Sequence, residues 1–144
     1  MPTECNPKPS EFARVAGRPV VAAFDGGRMT SDARGLLLGA TDKAIGLSAR
    51  LADCFRDHRQ QELVEHAVTT LVGQGVFSIA LGYEDLNDHD DLRHDPLMAA
   101  VSGKLEARRS ECAAVAGKST LNRLELSRES PTRYKKIAHD PAAI

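Results

Sequence analysis

The sequence predicts a small, mainly α-helical domain with a short β element near residues 19–30. The 144 residues suffice for one domain, and with no Trp and only 4% aromatics its core must be filled by Leu, Ala and Val, which favours helices over a β-sandwich. Apolar side chains nearly encircle a helix over residues 62–81, as expected of a central core helix. The run PVVAAF at 19–24 is typical of a strand. The Asp25-Gly26-Gly27 turn after it fits a hairpin better than an anion-binding nest.

Three segments follow from the distribution of residue types along the chain. Residues 1–18 are proline-rich and polar, which predicts a flexible arm. Residues 19–126 carry the helical patterns, and residues 127–144 form a basic tail without an evident closing element. Within the helical part, Gly35 and Gly39 lie four residues apart, so we expect their helix to pack closely against a neighbour.

The net charge of −1 conceals an asymmetry between the two parts of the chain. Residues 104–136 contain nine Lys and Arg against four Asp and Glu, a balance of +5. This excess predicts an anionic partner for the C-terminal part.

Cysteine usage and hydropathy bear on the cellular location. The three cysteines are an odd number without CxxC spacing, which is typical of free thiols in a reducing cytosol. Neither a signal peptide nor a membrane span is predicted, because the N-terminus lacks an apolar segment and no long uncharged apolar run exists. We therefore expect a cytoplasmic protein with no membrane partner.

The segment from 84 to 95 is strongly acidic and allows two interpretations. Its six carboxylates (Glu84, Asp85, Asp88, Asp90, Asp91 and Asp95), with His89 and His94, have the ligand chemistry of a divalent metal site. The segment lacks the glycine that an EF-hand loop requires. A solvated helical linker is the favoured interpretation, with Asp88 as a cap and Arg93 paired to nearby carboxylates. Glu65-His66 lacks the second histidine of a zinc motif, so no metal ligand is predicted in this chain.

The stretch GKSTLNRLE at 117–125 carries the candidate binding chemistry. Nucleotide binding is not predicted, because Cys112 stands where a P-loop needs glycine and no strand precedes the motif. A lysine followed by Ser119 and Thr120 at a helix start suits a phosphate, through amides, hydroxyls and charge together. Asn122 and Arg123 follow in the first turn, where side chains can reach base edges. An ordinary surface helix capped by Ser119 or Thr120 fits the same residues, and the basic surroundings tilt the interpretation towards DNA.

The predicted DNA-binding residues form a leading set and a set of nonspecific phosphate contacts. The leading set is Lys118, Ser119, Thr120, Asn122 and Arg123, and the second is Arg108, Arg109, Arg128, Lys135 and Lys136. No catalytic residue is predicted, since the sequence lacks GxSxG and any recognisable reactive-cysteine signature.

Three strings together resemble a known family. AFDGGRMTSDARGLLL at 23–38, GYEDLNDHDDLRHDP at 82–96 and AGKSTLNRLE at 116–125 resemble, in order and spacing, the N-terminal region of bacterial insertion-sequence transposases with a DDE domain of group one. The resemblance implies an enzyme family that cuts and rejoins DNA, using three carboxylates in an RNase H-like core to hold two divalent ions. It also implies that the first of these carboxylates lies downstream of residues 133–144. We therefore expect a chain truncated before its catalytic core, with Mg²⁺ or Mn²⁺ needed only by the missing domain.

The resemblance implies DNA-end binding and synapsis at the element's terminal repeats for the part present. A different hypothesis is an oligomerisation or trans-inhibitory module, with the Ala- and Leu-rich helix around 36–45 and its spaced glycines as the contact. A third is a metal-dependent nuclease built on the acidic segment.

Overall fold

The structure is a computed structural model that describes residues 8–23 and 29–143. Its strands are β1 (Ser10–Val15), β2 (Arg18–Ala22), β3 (Phe55–Asp57) and β4 (Ile137–His139). Its α-helices are α1 (Gly35–Ile45), α2 (Leu47–Ala52), α3 (Val68–Leu81), α4 (His89–Leu92), α5 (Pro96–Val101) and α6 (Lys118–Glu125). Short 3-10 turns occupy Gln61–Leu63 and Leu86–Asp88. The predicted mainly α fold with a small N-terminal β element is confirmed.

The N-terminal hairpin pairs β1 with β2 in antiparallel register, with Phe12 opposite Val20. The predicted strand is β2, but its partner precedes it in the chain. The flexible arm predicted for residues 1–18 is therefore wrong over Ser10–Val15, where half-buried Phe12 and Val15 lie along a paired strand. The predicted turn at Asp25–Gly27 lies outside the described residues.

Helix α3 is the centre of the core. It contributes Leu71 and Val72 to one buried cluster and Phe77 and Leu81 to a second. The first cluster also contains Ala52, Ala116, Leu121, Leu124 and Ile137, and the second contains Leu92, Leu97, Met98 and Val115. The central helix is shorter than the apolar run predicts, because the backbone is extended at Val64 and Ala67 and the helix begins only at Val68.

The end of the chain belongs to the fold. Strand β4 pairs with β3 in antiparallel register, with Arg56 opposite Ala138, and Ile137 is only 3% exposed. The description of residues 127–144 as a basic tail is therefore wrong for Ile137–His139. The signal is only three residues long, and its pairing partner lies at 55–57, so local pattern does not reveal the strand.

Helices α1 and α5 approach each other closely at two glycines. A Cβ atom placed on Gly39 would lie 2.9 Å from Val101 Cγ1, and one on Gly35 would lie 2.8 Å from Leu97 Cδ2. The predicted close packing is confirmed, and the neighbour is a helix of the same chain. Across the part of the chain that the structure describes, we find no helix with the length and apolar character needed to span a membrane.

Candidate functional site

The N-terminus of α6, where the leading phosphate contacts are predicted, faces an acidic side chain of the same molecule. Asp90 accepts a hydrogen bond from the Lys118 backbone N–H at 3.1 Å, and its other oxygen lies 3.3 Å from Lys118 Nζ. Lys118 Nζ also donates to Asn87 Oδ1 at 3.1 Å. The backbone hydrogen bond from Lys118, assisted by the lysine charge, lowers the pKa of Asp90. The amide and the ammonium group proposed for a phosphate thus already contact a carboxylate.

The capping roles predicted around this site are only partly correct. The residue that precedes α6 is Gly117, which has no side chain to cap the helix, and Ser119 and Thr120 lie inside the helix, so the predicted capping by Ser119 or Thr120 is wrong. Asp88 stands before α4 but makes no capping hydrogen bond with its side chain. Among the described residues, Arg93 forms no ion pair and its Nε is buried without a hydrogen-bond partner.

Other carboxylates of the acidic segment do cap helical turns. Asp85 accepts from the Asn87 N–H at 2.8 Å, and Asp95 accepts from the Leu97 N–H at 2.6 Å. Together with Asp90, which caps α6 across the fold, these contacts support the structural interpretation of the segment. Within residues 8–23 and 29–143, no group of three or more His, Cys, Asp and Glu side chains is placed to hold a metal ion. That this chain needs no cofactor stays a prediction.

The outer face of α6 is open to solvent. Leu121 and Leu124 are 1% and 7% exposed and face the core. Ser119, Asn122 and Arg123 lie on the exposed side of the same helix, and Thr120 is half-buried. The helix therefore presents Asn122 and Arg123 outward, which is the arrangement that contacts to base edges require.

Arg108 and Arg109 surround the buried carboxylate of Glu65. The Glu65 side chain is 5% exposed and pairs with Lys104 Nζ. It also accepts from the Arg108 backbone N–H at 2.7 Å and lies 3.5 Å from Arg109 Nε. The Arg108 guanidinium donates to the Val64 carbonyl at 2.8 Å. These two arginines, predicted as phosphate contacts, thus fasten the loop before α6 to the segment before α3.

Burial and ion pairing act in opposite directions on Glu65. Burial raises the pKa of this carboxyl, but the hydrogen bonds from Lys104 and Arg108 and the lysine charge outweigh it and lower the pKa to about 2. Glu65 is therefore ionised in the folded protein. Sequence reasoning missed this role, because the partners of Glu65 lie about forty residues further along the chain.

The remaining predicted cations lie on one loop, residues 127–136, which we call the basic loop. Its first residues are tied to strand β4 by backbone contacts. Arg128 forms an isolated β-bridge with Ala138, and the His139 N–H donates to the Arg128 carbonyl at 3.0 Å. Its last residue is also held, because the His58 N–H donates to the Lys136 carbonyl at 2.8 Å. The basic loop is thus anchored to the β3–β4 sheet.

The basic loop presents its charges to solvent. Arg128, Arg133 and Lys136 are exposed and Lys135 is half-buried, against the single acid Glu129. Among the described residues, these four cations form no ion pair, and neither does Arg123 on α6. An open depression of about 460 Å³ lies beside them, lined by Ser127, Arg128, Glu129, Ser130, Pro131, Thr132 and His139. This is the part of the predicted site that stays available to an anion.

The fold and this surface define a small, mainly helical domain whose C-terminal part offers unpaired cations. Comparison with known protein families shows to which family this domain belongs. The family model described as Transposase DDE domain group 1 matches residues 12–141, nearly the whole chain. The protein belongs to this family, which confirms the resemblance and indicates a role in transposition and an interaction with DNA. Neither the curated proteins nor the solved structures gave a match.

The divalent ions that the family implies find no matching ligand set here. Asp85, Asp90 and Asp95 are engaged as caps, and the described residues hold no cluster suited to a metal ion. No metal-dependent step is therefore assigned to these residues. A bacterial insertion-sequence origin and a truncation before the catalytic core stay predictions.

Proposed function

We propose that this chain is a DNA-binding part of a DDE transposase and that it recognises the ends of the element. In this proposal the basic loop holds the phosphate backbone, and Asn122 and Arg123 on the outer face of α6 contact base edges. The observation that carries it is that Arg123 and the cations of the basic loop are free of acidic partners among the described residues. Because DNA is the proposed partner, we also propose a cytoplasmic location, with nucleoid association when the protein is bound to DNA.

The contacts of each predicted cation change its expected contribution to DNA affinity. Lys118 can hold a phosphate only after it leaves Asp90, and the carboxylate would then lie beside the DNA and repel it. Arg109 is paired with Glu65 in a similar way. The Arg108 guanidinium is held by the Val64 carbonyl, a backbone contact that phosphate binding would have to replace. Arg128 and Lys136 form no ion pair with any described residue, so DNA binding breaks none of those contacts. We therefore expect these two residues to contribute more to DNA affinity than Lys118, Arg108 and Arg109.

A salt titration of DNA binding tests the proposal. Fluorescence anisotropy would be measured with one labelled duplex that carries the element's terminal repeat and another of scrambled sequence. Since each neutralised phosphate contributes about −0.9 to the slope, four or five contacts predict a slope of log affinity against log salt near −4. Preference for the repeat supports end recognition, and equal binding contradicts it while leaving a general DNA-binding role. No binding at low salt contradicts the proposal as a whole.

A second candidate function, oligomerisation, is favoured by the outer face of α1. The glycine side of this helix is used within the chain by α5. On the outside, however, Leu37 and Ile45 are 65% and 55% exposed, and neighbouring Leu47 is 45% exposed. Exposed apolar surface is typical of contact sites, and these three side chains supply it here. Light scattering tests this function: a dimer that Leu37→Glu converts to a monomer supports it, and a monomer at high protein concentration contradicts it.

A further inference from the structure

The tip of the basic loop carries an aromatic side chain that the fold does not use. Tyr134 is 78% exposed, although the chain contains only two tyrosines and no tryptophan. The Arg133 guanidinium lies over its ring, 5.7 Å from the centroid. A ring so exposed gives up the apolar burial that large aromatic side chains normally contribute to a core. The ring is therefore free to contact a partner outside this domain.

The backbone beneath this ring is ordered by a closed turn. The Thr132 N–H donates to the Lys135 carbonyl at 2.7 Å, and the Lys135 N–H donates back to Thr132 Oγ1 at 3.0 Å. The turn holds Arg133 and Tyr134 at its tip, and Lys136 is anchored beyond it by His58. Less conformational entropy is lost on binding when the contact residues are already held in place.

The chemistry of the tip selects the partner. Cationic side chains before and after an exposed aromatic ring combine phosphate attraction with a surface for stacking. The faces of paired bases are covered by their neighbours in a duplex, whereas the face of an unpaired base is open. An acidic peptide would also satisfy the cations, but it offers no flat ring for Tyr134. The family of this chain further favours DNA over a peptide.

We propose that Tyr134 stacks on an unpaired base, which makes the basic loop a binding site for single-stranded or frayed DNA. Arg133 covers part of the ring on one side, and Lys135 and Lys136 hold the adjoining phosphates. This inference rests on the proposed DNA-binding function and adds the class of DNA structure that the loop selects.

Binding to a labelled thymine strand and to a duplex of equal length tests the inference, with wild type, Tyr134→Ala and Tyr134→Phe compared at one salt concentration. Base stacking on an aromatic side chain predicts that Tyr134→Ala weakens binding to the thymine strand by about 5- to 150-fold. The loss on the duplex is expected to be much smaller. Tyr134→Phe keeps the ring and is expected to bind the thymine strand like wild type.

Tyrosine fluorescence supplies a second readout that loop disruption alone does not produce. The thymine strand is expected to quench wild-type emission. It should leave Tyr134→Phe unquenched although bound, because the remaining Tyr83 is half-buried and donates to Asp32 at 2.6 Å. Equal losses of Tyr134→Ala on both DNAs, or no loss on either, overturn the inference while leaving duplex binding intact as a function. Failure of the wild type to bind either DNA overturns the proposed function itself.

Discussion

At the scale of single residues, Gln74 is the polar group that positions the start of α6. Its side chain is 0% exposed, and its amide pairs with both backbone groups of Ala116: Nε2 donates to the carbonyl at 2.7 Å and Oε1 accepts from the N–H at 2.9 Å. Nε2 also lies 3.1 Å from His89 Nδ1. Burial lowers the pKa of His89, which favours the neutral ring that can accept this hydrogen bond.

Gln74→Ala is expected to lower the free energy of unfolding by about 2–4 kcal/mol, because it leaves a cavity and unpaired groups at Ala116 and His89. Urea unfolding measures the change. Gln60→Ala, at an exposed position, is the matched control and is expected to change stability little. Equal stability of the two variants would contradict this account of Gln74.

Sequence reasoning at this scale identified residue types but not their partners. Lys118, Arg108 and Arg109 are basic residues in a basic region, which is what predicts phosphate contacts. The acidic partners of Lys118 and Arg109 are Asp90 and Glu65, which lie 28 and 44 residues away in sequence. The Arg108 guanidinium instead contacts the Val64 carbonyl, 44 residues away. Only the packing of α4 against the start of α6, and of the segment before α3 against residues 104–109, brings these charges together. Charge balance alone therefore overstated the number of cations available to DNA.

At the scale of elements, the helices were more predictable than the strands. Each of α1, α2, α5 and α6 has a local signal, such as the proline that opens α5 or the left-handed glycine at 46 that ends α1. Strand β4 is three residues long, and its partner is the distant segment at residues 55–57. A short strand is stabilised by its neighbours, so its own residues carry too weak a pattern to reveal it.

Two glycine substitutions test the packing of α1 against α5. Gly39→Ala is expected to destabilise the protein by about 1 kcal/mol, because the clash of the new methyl group with the stiff Val101 side chain exceeds the gain in helix propensity. Gly75→Ala is expected to stabilise it by about 0.5–1 kcal/mol, since a Cβ there meets nothing within 4 Å. Thermal unfolding of both variants measures the signs. Stabilisation by Gly39→Ala would show that the two helices are not in close contact.

At the scale of the whole molecule, the ion pairs of Glu65 link stability to pH. The pKa of this carboxyl is about 2 in the folded chain and 4.5 ordinarily, so the unfolded chain takes up the proton first as the pH falls. The stabilisation that the ionised Glu65 contributes is complete above about pH 4.5 and is lost as the pH falls towards about 2. The contact between residues 64–65 and 104–109 is thus a point at which acid weakens the fold.

Glu65→Gln is expected to lower the free energy of unfolding near neutral pH by about 1.5–3 kcal/mol, because charged hydrogen bonds to a buried group are lost. Its stability should also fall less steeply than that of the wild type between pH 4.5 and about 2. Urea unfolding over a pH series measures both effects. Glu62→Gln, at an exposed position three residues earlier, is the control. Parallel pH profiles for the wild type and Glu65→Gln would contradict the assignment.

The central claim is that DNA is held by the cations without acidic partners. It is tested most directly by comparing two double variants that remove the same charge. Arg128→Gln with Lys136→Gln is expected to reduce the salt slope by about 2 and to weaken duplex binding strongly. Arg109→Gln with Lys118→Gln is expected to change both much less, because these residues are paired with Glu65 and Asp90. The claim would be contradicted if the second double variant lost more duplex affinity and the first bound like wild type. That result would place the DNA interface at the N-terminus of α6.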